Sequence, residues 1–385
     1  MKPVKIVYIH KNVKNYTISK IKREIFINYN IFLIIKSLII PIFFLAKKYF
    51  EIKVNYYKKQ NEIYEINNTI ANYTLENTII YTSQVFYQNK KEFNNNDSNF
   101  EYFCCFCTMG KMENPYIREL LSYYTSIGVD KFVLADNNLP NTEKFSDVIQ
   151  DYIKNNTVDI IDIIGKIYTD GELYAIIYEK YKNKCKWLTF FDFDEYLRIH
   201  SEDGKIIGLN KYLSNKIFEK CEAVVVNWLM YDDNNLVYYD NRTTLERFPN
   251  PLYNHGANGY VKSIVRGHLN KTVFRANRSH HCPYKEVKTC DSMGNIHNNL
   301  KDAINPPLFK YAYLMHFNTR TAEEFIRKIK RGYPGNVYHP YLQKLESFFN
   351  KNKFTEEKLK LFERSFNQSF DIIRRKYKNK KRNLL

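Results

Sequence analysis

At 385 residues, 44% hydrophobic and 16% aromatic, the chain can build a sizeable core and suits one large catalytic domain with appendages. Its 59 basic against 41 acidic residues give a net charge of +18, which draws polyanions: nucleic acid, anionic lipid or phosphorylated substrates. The Tyr-, Asn-, Lys- and Ile-rich composition makes many Asn-x-Ser/Thr matches accidental and excludes reading glycosylation from them.

Residues 31–46 are apolar but interrupted by Lys36 and Pro41. A spanning helix needs about 20 mostly apolar residues, so three readings stay open, in this order: a helix packed on the catalytic domain, an interfacial membrane helix, or a short signal anchor. The long polar lead-in argues against a cleaved signal peptide. Together with the net charge, the basic and apolar segment 31–48 leads us to expect a cytoplasmic protein attached to an anionic membrane surface, or a Golgi membrane protein if the source is eukaryotic. Residues 1–98 read as an N-terminal extension that ends in the Asn-rich linker 90–98.

From Glu101 the pattern becomes α/β. Residues 102–108 form a strand, Pro115 opens a helix over 116–126, and Gly128 stops it. Further strands follow at 131–135, 160–164, 187–191, 223–228 and 311–315, with a helix over 171–181. This alternation predicts a largely parallel sheet of the nucleotide-binding kind. Neither a G-x-x-x-x-G-K-[ST] nor a G-x-G-x-x-G motif is present, which excludes P-loop and dinucleotide-fingerprint chemistry. Cys104, Cys105 and Cys107 are too close to pair with one another, and no C-x-x-C motif with matching histidines occurs. The expectation is buried thiols in a reducing compartment. The basic run 374–382 reads as a solvated face within a helical C-terminal tail, 336–385.

The chemistry concentrates in Lys186-Trp-Leu-Thr-Phe-Phe-Asp-Phe-Asp-Glu-Tyr-Leu197, where an apolar strand runs into Asp192, Phe193 and Asp194. As strand residues, the two aspartates project to one face while Phe193 turns into the core. Ligands of open α/β sheets bind beyond the strands' carboxyl ends. Two carboxylates placed there call for a hard cation, Mn2+ or Mg2+, of the kind that bridges to a nucleotide diphosphate. The competing reading makes them caps of a following helix.

Four segments, in order over residues 101–335, resemble glycosyltransferase family 92 and related family-2-like transferases of GT-A fold. They are Lys111-Met-Glu-Asn-Pro-Tyr-Ile-Arg-Glu-Leu-Leu-Ser-Tyr-Tyr124, Gly128-Val-Asp-Lys-Phe-Val-Leu-Ala-Asp-Asn-Asn138, the D-x-D strand, and His316-Phe-Asn-Thr-Arg-Thr-Ala-Glu-Glu-Phe-Ile-Arg-Lys-Ile-Lys-Arg-Gly332. Met112 departs from the family's usual Lys-Asn-Glu loop, while Glu113 and Asn114 remain.

The resemblance implies a GT-A catalytic domain over 99–335, with a mainly parallel central sheet flanked by helices. It also implies transfer of a hexose from a nucleotide-diphosphate sugar, a UDP-sugar by our reading, to a glycan or glycolipid hydroxyl with inversion. Asp192, Asp194 and His316 become the metal ligands. Glu113, Asn114, Asp136, Asn137, Lys262 and Arg320 become contacts to the nucleotide sugar, and Asp136 suits the N–H of a uracil. Glu113 has a second reading as a helix cap and Asp136 as a turn former. Lys328, Lys330 and Arg331 read as an ordinary solvated helix face.

An inverting transfer needs a carboxylate to take the acceptor proton. Asp232, Asp233 and Glu246 are the candidates, with Glu246 preferred. His280-His-Cys-Pro283 lacks a second ligand pair for zinc and reads as cleft lining or core. Nucleic acid is not an expected partner. The alternatives are a haloacid-dehalogenase-like phosphatase, whose pattern Tyr196 breaks, or a non-catalytic basic protein that binds membrane or nucleic acid.

Overall fold

Alternate residues of the first strand serve opposite faces of the sheet. Cys104 and Phe106 join one buried cluster, which holds Leu120, Leu121 and Tyr124, while Cys105 and Cys107 join another, which holds Leu173, Tyr174 and Ile177. A strand that feeds apolar side chains to both faces needs a helix on each. The computed structural model describes residues 100–166, 168–274, 283, 286–298, 300, 302–332 and 341–382.

In chain order the elements are β1 (Tyr102–Gly110), α1 (Asn114–Ser126), β2 (Lys131–Asp136), α2 (Gln150–Lys154), β3 (Val158–Asp162), α3 (Asp170–Tyr181), β4 (Cys185–Phe190) and β5 (Glu195–Ile199). Then come α4 (Leu209–Leu213), β6 (Ala223–Met230), α5 (Thr244–Arg247), β7 (Val261–Arg266), β8 (Thr289–Cys290), β9 (Ile296–His297) and β10 (Ala312–His316). Four helices close the described chain: α6 (Ala322–Arg331), α7 (Tyr341–Lys351), α8 (Glu356–Phe366) and α9 (Asp371–Arg382). Pro115 sits in the first turn of α1, and Gly128 follows that helix at a φ of 103°. Capping boxes start α3 at Thr169 and Glu172, and α6 at Thr321 and Glu324.

The strands form one ten-stranded sheet in the order β3-β2-β1-β4-β7-β6-β10-β5, with β8 on β6 and β9 on β8. The block β3-β2-β1-β4 is parallel, as the helical crossovers require. Beyond it β7 runs antiparallel to both β4 and β6, and β5 antiparallel to β10. The sheet is therefore mixed, which corrects the mainly parallel expectation. The antiparallel neighbours β6 and β7 are joined by residues 231–260, whose α-helix is the four-residue α5 rather than a long crossover helix. β4, β6 and β10 still share one direction, so the carboxyl ends of β1, β2, β4, β6 and β10 converge on one rim.

The cysteine expectation is corrected too. Cys105 bridges to Cys185 and Cys221 to Cys290, while Cys104 and Cys107 are buried thiols. β1 and β4 are neighbours, so cysteines 80 residues apart meet where adjacent ones do not. Such cross-links persist in oxidising compartments. The expectation of a cytoplasmic, membrane-associated protein is corrected with it. Among the described residues no helix is long and apolar enough to cross a membrane. Segment 31–48, which carried that expectation, lies outside the described residues, as do His280 and His281.

Helices α6 to α9 share an aromatic core that includes Phe325, Phe348, Phe349 and Phe362. Buried charge ties this core to α5 and α1. Arg247 of α5 donates to Glu324 of α6 at 2.7 Å, both side chains at most 2% exposed. The Tyr116 hydroxyl donates to the same carboxylate at 2.8 Å. Burial alone would raise the pKa of Glu324, but Arg247, followed by Arg320 and Arg327, holds it down to about 2.

Removing one partner of such a pair leaves a buried charge uncompensated. Arg247→Met should therefore cost about 3–5 kcal/mol in denaturant unfolding. The carboxylate's contribution is complete above its ordinary pKa of 4.5 and is lost as pH falls through about 2. Glu324→Gln should flatten the acid limb of a stability-against-pH curve over that window.

Candidate active site

The acidic pair stands in the turn 191–194 between β4 and β5, not within the strand and not ahead of a helix. The Glu195 side chain closes this turn by accepting from the Asp192 N–H at 2.9 Å. Phe193 is buried and packs on Phe145 at 5.3 Å between ring centroids. Gly110, at the end of β1, makes this possible, because a Cβ there would lie 2.4 Å from the Phe193 ring. Turn geometry rather than strand alternation separates the aspartates: the Asp192 side chain is 41% exposed and that of Asp194 is 12% exposed.

Each aspartate meets a lysine. Lys262 donates to Asp192 Oδ2 at 2.8 Å and lies 3.6 Å from Glu195. Its own burial would lower its pKa, but Asp192 and Glu195 raise it. Lys328 donates to Asp194 Oδ2 at 2.6 Å, and His316 Nε2 lies 3.5 Å from Oδ1. Burial alone would raise the pKa of Asp194, but Lys328 and then His316 hold it well below the carboxylate range. His316 is itself buried, which lowers its pKa, and its ring lies 4.4 Å from Trp228. Glu195, fully buried beside Asp192 and Asp194, is pushed up to about 8.

The loop after β1 closes the rim. Met112 takes a left-handed φ of 56° and donates its N–H to Asn138 Oδ1 at 2.7 Å. Glu113 stands at the N-cap of α1 but makes no capping bond, which answers the helix-cap reading. Its carboxylate pairs with Arg331 and, at 3.4 Å, with Arg320. Arg320, at a φ of 49°, stacks over the Tyr116 ring at 3.5 Å and donates to the Phe193 carbonyl at 3.2 Å. A non-glycine residue in that region carries strain that the surrounding contacts must hold. The Lys111 ammonium donates to the Arg331 carbonyl at 2.9 Å, and burial followed by Arg331 lowers its pKa to about 8.

A cleft of about 320 Å³ is lined by Lys111, Glu113, Asn137, Asp170, Asp192, Asp194, Trp228, Lys262, Lys328 and Arg331, with His316, Glu195 and Arg320 outside its lining. Lys328 and Arg331 thus belong to the cleft wall, although the sequence reads as a solvated face there. Their spacing of three residues on α6 was the available signal. Asp170, in the first turn of α3, had no such signal. Burial and then Asp192 push its pKa up to about 6, against the pull of Lys262.

Other expected site residues sit elsewhere. Asp136 is buried and accepts from Asn138 N at 3.0 Å, Asn138 Nδ2 at 2.7 Å and Phe145 N at 2.9 Å, so it shapes the loop after β2. Asn114 is buried and donates to the Lys144 carbonyl at 3.0 Å. Asp232 accepts from Asn234 N at 2.8 Å, and Asp233 is buried against Lys358 at 2.5 Å. Glu246 completes the capping box of α5 with Thr243. The cleft lining contains none of these three carboxylates.

Asp194 faces His316 with one oxygen and Lys328 with the other, so a hard divalent cation here would share this carboxylate with a lysine. Among the described residues no three His, Cys, Asp or Glu side chains gather to hold a metal. Mg2+-type ions are commonly held by one or two carboxylates plus substrate phosphates, which suits so sparse a set.

The model of glycosyltransferase family 92 matches residues 100–370. A glycosyltransferase family 92 protein of Arabidopsis thaliana is 26% identical over 113 residues, which span 28% of this chain and 19% of that relative. Among solved structures, S. aureus TarS 1-349 in complex with UDP-GlcNAc is 13% identical, covering 65% of this chain and 72% of that one at a TM-score of 0.32. The mannosyltransferase PcManGT from Pyrobaculum calidifontis, in complex with GDP-Man and Mn2+, is 11% identical, covering 77% and 78% at a TM-score of 0.27. TM-scores this low establish no common arrangement of the whole chain. The family match spans β1 through α8 and with them the entire cleft, and on it the chain belongs to glycosyltransferase family 92.

Proposed function

We propose that this enzyme, with a GT-A type catalytic unit over 99–335, moves a hexose from a nucleotide-diphosphate sugar to a hydroxyl of a glycan or glycolipid, with inversion. One observation carries the reading: Asp192 and Asp194 share a single cleft with Lys111, Lys262, Lys328 and Arg331. Carboxylates beside converging cations suit a sugar diphosphate, whose hydroxyls donate and whose phosphates accept. A divalent ion, Mn2+ or Mg2+, would be held by Asp194 and His316 and would supply further charge neutralisation at the diphosphate.

The acceptor oxygen forms its bond to the anomeric carbon as the bond from that carbon to the diphosphate breaks. Lys328, Arg331 and Lys111 stand where the leaving charge develops, and fixed donors there lower the barrier. The acceptor proton passes to a carboxylate. Asp232, Asp233 and Glu246 have other partners, so we assign this role to Asp170, whose pKa of about 6 suits a base near neutral pH. Asn137 lines the cleft beyond β2 and takes the place of Asp136 as the side chain offered to the nucleobase.

Three outcomes follow from this reading. Asp194→Asn, which keeps shape and removes charge, should abolish sugar transfer while leaving the circular-dichroism spectrum and melting temperature near wild type; full activity in that variant would sink the acid-pair reading. Asp170→Asn should lower kcat by about 10²-fold or more with little change in donor KM. It should also erase an acid limb near pH 6 in the rate profile, which a purely structural carboxylate would not produce. A panel of nucleotide sugars, scored by metal-dependent hydrolysis and thermal shift, should favour a UDP-hexose. A GDP- or CMP-sugar preference would overturn the choice of uridine, and no response to any member would overturn the transferase reading of the cleft.

A further inference from the structure

Both oxygens of Asp194 face a nitrogen: Lys328 is 2.6 Å from Oδ2, and His316 is 3.5 Å from Oδ1. A cation entering here meets a positive charge already within bonding distance of its main ligand. At separations of a few ångströms in a partly buried site, like charges oppose each other more strongly than they do in water. Lys351 adds to the opposition: its ammonium donates to Asn318 Oδ1 at 3.2 Å, while Lys328 donates to the Asn318 carbonyl at 3.1 Å.

The two lysines on the acidic turn differ in freedom. Lys262 has a side chain only 2% exposed and is held between Asp192 and Glu195. Lys328 is 23% exposed, at the end of a flexible four-carbon stem on α6, and lines the cleft beside Arg331 and Lys111. From one Cα position its ammonium faces both Asp194 and the space proposed for the diphosphate.

We propose that Lys328 is a built-in counter-ion of Asp194 that competes with divalent cations and is drawn away by the donor diphosphate, so that cation binding depends on the donor. The inference rests on the metal-assisted transferase reading given above. Its thermodynamic form is a coupling between two ligands, carried by one ammonium that is drawn from the carboxylate towards the diphosphate. Without donor, Asp194 is neutralised internally and the isolated carboxylate never faces the cleft uncompensated. With donor, Lys328 turns to the phosphates and frees an oxygen of Asp194 for the cation.

The test is calorimetric titration of the full chain with MnCl2, with and without UDP, for wild type, Lys328→Met and Lys328→Arg. UDP should tighten Mn2+ binding to wild type by about tenfold or more. Lys328→Met should bind Mn2+ about tenfold more tightly than wild type in the absence of UDP and gain less from its addition. Lys328→Arg, which keeps the charge, should behave like wild type. Lys328→Gln serves as a second neutral variant if Met perturbs the melting temperature. Equal Mn2+ affinities for wild type and both neutral variants would overturn the counter-ion role while leaving the metal reading intact. No Mn2+ binding to wild type or any variant, even with UDP, would overturn both.

Discussion

Two aspartates on one tight turn repel each other, so the architecture around them is largely one of charge compensation. Lys262 reaches Asp192 from β7, and Lys328 reaches Asp194 from α6. Arg331 and Arg320 bracket Glu113 on the loop between. Each cation comes from an element far along the chain, so the cleft wall exists only once these elements have packed together. Fully buried ion pairs are a poor source of net stability. What they secure here is position: a carboxylate with a charged partner on a fixed element is held in one place.

The scaffold beneath the turn is apolar and dense. Gly110 yields space to Phe193, which anchors the middle of the D-x-D turn and leaves the flanking aspartates on the cleft side. The Tyr124 hydroxyl donates to the Glu195 carbonyl at 2.8 Å and accepts from Leu197 N at 3.1 Å, fastening α1 to the strand that leaves the turn. Phe317 N donates to the Asp194 carbonyl at 2.9 Å, so the chain just past β10 is pinned to the same point. The turn that carries the chemistry is thus gripped from β1, α1 and β10. Such support is what a site needs if its charged groups are to stay within hydrogen-bond tolerance.

Asp136 shows how a correct motif can hold a different role from the one expected. Its position at the end of β2 was legible, but its oxygens turn inward to Asn138 and Phe145. The residue shapes the loop, and its neighbour Asn137 lines the cleft. The carboxylates expected to take a proton show the same pattern. Glu246 satisfies a helix end and Asp233 a buried lysine, because a local backbone donor or a nearby ammonium captures a carboxylate more readily than a distant cleft does.

Burial with period two or 3.6 is written locally, so the strands at 102–108, 131–135 and 223–228, the helices they alternate with, and the placement of Asp192, Asp194 and His316 at strand ends were all readable from the sequence by itself. Pairing between distant segments is not written locally. That β7 runs antiparallel between β4 and β6, that Cys105 meets Cys185, and that Lys328 and Arg331 face a cleft instead of water depend on which elements become neighbours. Asp170 marks the same boundary most sharply: it is an unremarked helix-start residue in the sequence. Burial in the folded cleft and the approach of Asp192 raise its proton affinity against the pull of Lys262, because electrostatic environment is a function of distance in space and not of separation along the chain.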